Sequence, residues 1–100
     1  MIKSAIKRIE KMEICFDTLK AAAERDRAAI FEDAALRELL RELTEYYEGG
    51  EWLRDYELDE RGLIPKEIKR GVLSQDAVYD FLQEINGKEQ NPVSEQDFLL

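Results

Sequence analysis

The residues with the greatest chemical potential lie between positions 44 and 60. Seven acids (Glu45, Glu48, Glu51, Asp55, Glu57, Asp59 and Glu60) stand there against one base, Arg54, with Tyr46, Tyr47, Trp52 and Tyr56 interleaved among them. Three chemistries are open to such a stretch. Asp55, Glu57 and Asp59 alternate like the opening of an EF-hand loop, but that loop needs Gly at its sixth position and a bidentate Glu at its twelfth. Glu60 and Lys66 occupy those places, so the match fails. Paired carboxylates can run acid–base hydrolysis when an apolar pocket raises the pKa of one of them. These acids sit in polar runs, and a small helical core leaves little room for such a pocket. The third chemistry is recognition of another protein, for which Tyr and Trp supply large contact area at low entropy cost. The plainer alternative is that the aromatics plug the open end of a small core while the acids face water.

Elsewhere the catalytic repertoire is thin. The chain has no histidine, which removes the commonest general base and the commonest transition-metal ligand. Cys15, the only cysteine, has no histidine to activate it and lies near an apolar stripe. Ser74 reads as a helix cap with no base beside it. No catalytic residue, metal site or cofactor is therefore expected, and the chain reads as a non-enzyme.

Charge sets the partners. Fifteen basic and 23 acidic residues leave a formal charge of −8, which repels nucleic acid and anionic lipid and favours a basic protein partner. Two basic clusters each reach +3, Lys3 to Lys11 and Arg61 to Arg70, but neither is interleaved with aromatics. They read as intramolecular balance, with Lys69 or Arg70 near Asp55 or Glu57. Direct nucleic-acid binding is not expected. No apolar run approaches the roughly 20 residues of a membrane span, and scattered N-terminal charges are unlike a signal peptide. With a single thiol besides, the expected address is a bacterial cytoplasm.

The elements that must position these residues are helices. At 44% hydrophobic, the composition of this 100-residue chain is globular despite 38% charged residues. Ile2, Ala5, Ile6, Ile9, Met12, Phe16, Leu19 and Ala23 fall three and four apart, broadened by Ile14 and Cys15, and predict a helix over about 2–30. Asp26 interrupts that stripe. Leu36, Leu39, Leu40, Leu43, Tyr46 and Tyr47 predict a second helix over 34–48, with Asp33 able to cap it. An antiparallel αα-hairpin bending near 31–34 is expected, one unbroken helix being the rival. Gly49-Gly50 ends the second helix, and residues 51–56 should form a short turn that drops Trp52 onto the hairpin. A polar loop runs from 57 to 62. Pro65 suits the first position of a short helix over 65–70. Ser74 would cap a final helix over 75–86 bearing Ala77, Val78, Phe81, Leu82 and Ile85. Residues 1–87 thus form one all-α domain, and 88–100 a flexible tail.

The second half carries a pattern. Tyr46-Tyr47-Glu48-Gly49-Gly50-Glu51-Trp52-Leu53-Arg54-Asp55 is followed by Gly62-Leu63-Ile64-Pro65, then by Lys69-Arg70-Gly71-Val72-Leu73-Ser74-Gln75-Asp76-Ala77-Val78-Tyr79. With the opening Arg8-Ile9-Glu10-Lys11-Met12-Glu13, this resembles the small bacterial family termed domain of unknown function 4298, over roughly residues 8–82. The resemblance implies a compact cytoplasmic bacterial domain, of a kind compatible with a mobile element, and carries over no catalytic or cofactor residue.

The leading functional expectation is an adaptor or inhibitor presenting an acidic, aromatic-bearing surface of Tyr46, Tyr47, Glu48, Glu51, Trp52, Asp55, Tyr56, Glu57, Asp59 and Glu60. Two alternatives stand beside it. One is a homo-oligomeric scaffold, in which a second copy completes the Ile2–Ile9–Phe16–Ala23 stripe. The other is a nucleic-acid mimic that blocks a basic protein. Trp52 should anchor the crossover segment, so Trp52→Ala is expected to cost about 3–5 kcal/mol in denaturant unfolding. An unchanged midpoint would contradict that role.

Overall fold

The computed structural model describes residues 2–74 and 76–85, and every described element is helical or a turn. Helix α1 spans Ile2–Asp26 and buries Ala5, Ile9, Met12, Phe16 and Leu19 of the expected stripe with Cys15 beside them, while Ile2, Ile6 and Ala23 are half-buried and Ala22 is buried in place of Ala23. Ile14 departs from it, being 67% exposed on the opposite side. The helix stops earlier than its apolar pattern suggests. Asp26 is the reason: its Oδ1 accepts from the Ala28 backbone N–H (3.1 Å), and residues 27–28 turn the chain. A single helical turn, α2 (Ala29–Glu32), then buries Ile30 completely.

Asp33 ends that turn and starts α3 (Ala34–Glu48). Its backbone is extended (φ −91°, ψ 124°), and its carboxylate accepts from the N–H groups of Ala35 (2.8 Å) and Leu36 (3.1 Å). Those donors have no partner inside the helix, so the cap both breaks the chain and stabilises the new start. The bend therefore occupies 27–33. Cys15 reaches the Leu39 carbonyl and Lys11 lies 3.9 Å from Glu42. The order reverses between the two helices, which makes the hairpin antiparallel.

Gly50, at φ +99°, takes the left-handed conformation that other residues avoid, and α4 begins at once. The expected single turn at 51–56 is instead a full helix, Glu51–Glu60. Its inner side carries Trp52 and Asp55, both buried, and half-buried Tyr56, Leu58 and Asp59. Leu58 has core to pack against, so the polar look of 57–60 is misleading.

The expected helix over 65–70 is absent. Ile64 is buried, a turn follows at 66–67, and the Arg70 guanidinium donates to the carbonyls of Pro65 and Ile68 and to the Asp59 carboxylate. The Pro65 carbonyl also accepts from the Ile68 N–H (3.2 Å), so a single tight turn stands where the helix was expected. Gly71–Leu73 forms a 3-10 turn with Val72 and Leu73 buried. The last helix, α5 over 77–85, buries Val78, Leu82 and Ile85 as its spacing predicts. The Asp76 carbonyl accepts from the Asp80 N–H (2.8 Å), so Asp76 and not Ser74 occupies the cap position. Helix α5 lies against α1 through an edge-to-face contact of Phe81 with Phe16 (5.6 Å), and Glu84 pairs with Arg27 (2.9 Å). The expected tail at 88–100 lies outside the described residues.

Candidate functional site

The ten residues of the acidic, aromatic stretch divide into two groups. Tyr46, Trp52 and Asp55 are core residues, 4%, 8% and 0% exposed, and are not available to a partner in this conformation. Glu48, Glu51, Glu57 and Glu60 are exposed, while Tyr47, Tyr56 and Asp59 are half-buried.

Asp55 is the centre of the first group. Arg8 of α1 grips it with both arms of the guanidinium, Nε to Oδ2 at 2.9 Å and Nη2 to Oδ1 at 2.6 Å. The Tyr46 hydroxyl of α3 donates to Oδ2 at 2.8 Å. A buried carboxylate is tolerable only when its lone pairs are satisfied this fully. Hydrogen bonding to Asp55 raises the Arg8 pKa, and burial, followed by the bond to Asp55, pushes the Tyr46 phenol far above its ordinary range.

A second polar tie lies nearby. Glu13, itself buried on α1, accepts from the Val72 backbone N–H (2.8 Å), and the Trp52 indole donates to the Val72 carbonyl (2.8 Å). Both polar groups of one loop residue are thus taken by side chains from two helices. Gly71 suits this approach, since a Cβ there would stand 3.2 Å from a Glu13 oxygen. Sequence reasoning missed Arg8 and Glu13. A signal existed: Glu13 falls four after Ile9 and three before Phe16, inside the apolar stripe, where a charge needs a buried partner.

The second group builds a surface. Tyr56 stacks on Trp52 (centroids 5.1 Å, rings 14° apart), Trp52 meets Tyr47 edge-on (5.2 Å), and Tyr47 touches Tyr79 of α5 (6.5 Å). The rings form one ladder across α4, α3 and α5. It ends on Tyr79, which is 47% exposed and was not among the expected site residues. Tyr79 sits on an α5 whose apolar spacing marks it as outward-facing, and only the ladder gives that exposure a context.

The acids do not form one continuous face. Asp55 pairs with Arg8, Asp59 with Arg70 and Glu45 with Arg41 (2.6 Å). The basic cluster at 61–71 does meet this stretch, but through Arg70 with Asp59 and not with Asp55 or Glu57 as expected: Asp55 is taken by Arg8, and Lys69 faces Asp17. An open groove beside the Arg8–Asp55 pair is lined by Lys7, Arg8, Lys11 and Arg54 together with Glu42, Glu45, Glu48 and Glu51. Such mixed walls favour no ion of either sign.

Among the described residues no group of three or more His, Cys, Asp or Glu side chains is placed to hold a metal. The Cys15 thiol is buried and donates to the Leu39 carbonyl (3.3 Å), and burial pushes its pKa up to about 11, the reverse of an activated nucleophile. Among the described residues no helix is long and apolar enough to cross a membrane.

The two raised acids fix a sign. When folding raises the pKa of a thiol or phenol, the unfolded chain loses its proton first as pH rises, and stability then falls. For Tyr46 the loss begins above about pH 10. Tyr46→Phe is expected to lower stability at neutral pH by about 1–2 kcal/mol and to flatten the alkaline decline. Urea midpoints taken from pH 7 to 11 check both. An alkaline slope identical to that of the parent chain would show that burial and Asp55 do not hold the Tyr46 proton.

Comparison with known proteins supplies one further fact. No curated protein and no solved structure matches the chain. The family model described as Domain of unknown function (DUF4298) matches residues 9–91. Of the tied residues, Glu13, Tyr46, Trp52, Asp55 and Val72 fall within that match, and Arg8 lies one position before it. The chain belongs to the DUF4298 family.

Proposed function

We propose that this chain is a non-enzymatic protein-interaction domain, an adaptor or inhibitor of the bacterial cytoplasm, and that it meets its partner through the rings of Tyr79, Tyr47 and Tyr56, with the buried Trp52 bracing Tyr47 and Tyr56 from behind. The observation that carries the reading is the ladder's passage from core to surface. Trp52 is fixed by its hydrogen bond to Val72, Tyr56 and Tyr47 lie against it, and Tyr79 ends the series nearly half exposed. Rigid rings held in place before binding lose little entropy when a partner covers them.

The alternatives receive less support. Ile9 and Phe16, the centre of the stripe that a second copy was expected to complete, are covered by the chain's own core. A homodimer through α1 would have to use its outer side, where Ile14 is exposed. A nucleic-acid mimic needs a sustained acidic face, and three of the relevant carboxylates are paired with arginines.

Affinity capture from the source cell tests the proposal. Tyr79→Ala should keep the parent's helical circular dichroism and lose the captured partner by at least tenfold, about 1.4 kcal/mol. Ile14→Ala, on another face, should keep it. Equal capture by the parent and Tyr79→Ala would discard the ladder as the contact surface.

A further inference from the structure

Helices α1 and α5 leave a groove between them that the described residues do not fill. Ala23 of α1 and Phe81 and Ile85 of α5 give it an apolar floor. Ala23 and Phe81 are only half-buried, so apolar surface stays open to water there. The groove holds about 330 Å³, room for a few side chains but not for a helix. Of its rim charges, Arg27 and Glu84 pair with each other at 2.9 Å, which leaves Lys20 and Glu24. Lys20 lies over the Phe16 ring (4.4 Å), and its one ion partner among the described residues is Asp17 of its own helix, at 3.7 Å.

We propose that Phe98-Leu99-Leu100 of this same chain seats in the α1–α5 groove, with Asp97 toward Lys20. Ile85, the last described residue of α5, is itself part of the groove, and residues 86–97 alone separate it from the triplet. Those twelve residues span about 40 Å when extended, enough to leave the helix end and return. Asn86-Gly87, directly after Ile85, is a dipeptide that favours chain reversal. A tether this short holds the triplet at roughly millimolar effective concentration, so a groove of weak intrinsic affinity is filled by its own chain first. Burying the triplet also removes from water the largest apolar side chains of residues 88–100. Glu95 and Asp97 precede it, which suits Lys20 and disfavours Glu24, so the segment enters from the Lys20 side. The groove beside Arg8 is a poor competitor, because eight charged side chains line it. Tyr79 is not among the residues of the α1–α5 groove, and this seat is independent of the interaction reading above.

The test places a nitroxide on the full chain through Ser94→Cys. Cys15, buried and with its pKa pushed up to about 11, stays unlabelled at neutral pH. NMR signals of Lys20 and Ala23 should broaden strongly, and to the same degree at every protein concentration. Replacing the triplet (Phe98→Ser, Leu99→Ser, Leu100→Ser) should remove most of that broadening while Ile85, close along the chain, keeps its own. The serine variant alters no described core residue, so its helical circular dichroism should match the parent's. Broadening at Lys20 and Ala23 that survives the serine changes would overturn the proposal, since the tether alone would then produce it. Broadening centred on Tyr47 and Tyr79 would overturn it in favour of a seat on the aromatic rings. Isotope-labelled chains mixed with spin-labelled chains should show none at the groove; broadening there would make a second copy the occupant and end the same-chain assignment.

Discussion

A carboxylate with no access to water, Asp55, governs the arrangement of this molecule. Burying a charge costs several kcal/mol before any compensation, and the chain compensates by bringing three helices to one point. Arg8 from α1, Tyr46 from α3 and Asp55 from α4 can meet only when the hairpin is closed and α4 has folded back across it. Apolar burial drives the collapse, since side chains such as Ile9, Phe16, Leu19 and Leu43 are fully or nearly fully removed from solvent. Apolar contact alone leaves helix register loosely defined. A directional pair of guanidinium bonds defines it.

The Glu13–Val72–Trp52 contact does for the loop what Asp55 does for the helices. Residues 61–70 contain no helix, so their backbone groups must find partners elsewhere. Arg70 takes two carbonyls, and Val72 gives its N–H to Glu13 and its carbonyl to Trp52. With the loop tied down, α5 is delivered against α1, and Tyr79 comes beside Tyr47. The surface proposed for recognition is in this sense a product of the buried ties. Trp52 belongs to both: its indole N–H faces inward to Val72, and its ring supports Tyr56 and Tyr47.

Much of the fold was legible in the residues. Spacings of three and four placed α1, α3 and α5, Asp33 was readable as a cap, and Gly49-Gly50 marked the break before α4. What periodicity cannot report is a partner distant in the chain. Arg8 and Asp55 are 47 positions apart and Glu13 and Val72 are 59, so although Glu13 stands out in its stripe, neither pairing identifies its partner locally. The helix expected at 65–70 failed for a related reason: Pro65 favours a helical start, but the Arg70 side chain bonds back to Pro65, Ile68 and the distant Asp59, a contact that local spacing does not report. Of the candidate site, Tyr47, Tyr56 and the exposed acids were placed on the surface side, at least in part. Tyr46, Trp52 and Asp55 went to the core, since an aromatic beside charges in sequence can face either way. Asp26 shows the converse: a polar residue breaking an apolar stripe marked the end of α1, although the stripe resumes at Ile30.

The governing role of Asp55 is tested most directly by a double-mutant cycle on Arg8→Met and Asp55→Leu, with unfolding free energies from urea denaturation. If the buried pair ties α1 to α4, each single change should cost about 3–5 kcal/mol by leaving a charge unmatched. The double variant should recover at least about 2 kcal/mol relative to their sum. Single costs that add to within about 0.5 kcal/mol would mean the two side chains do not depend on each other, and the central tie would be lost.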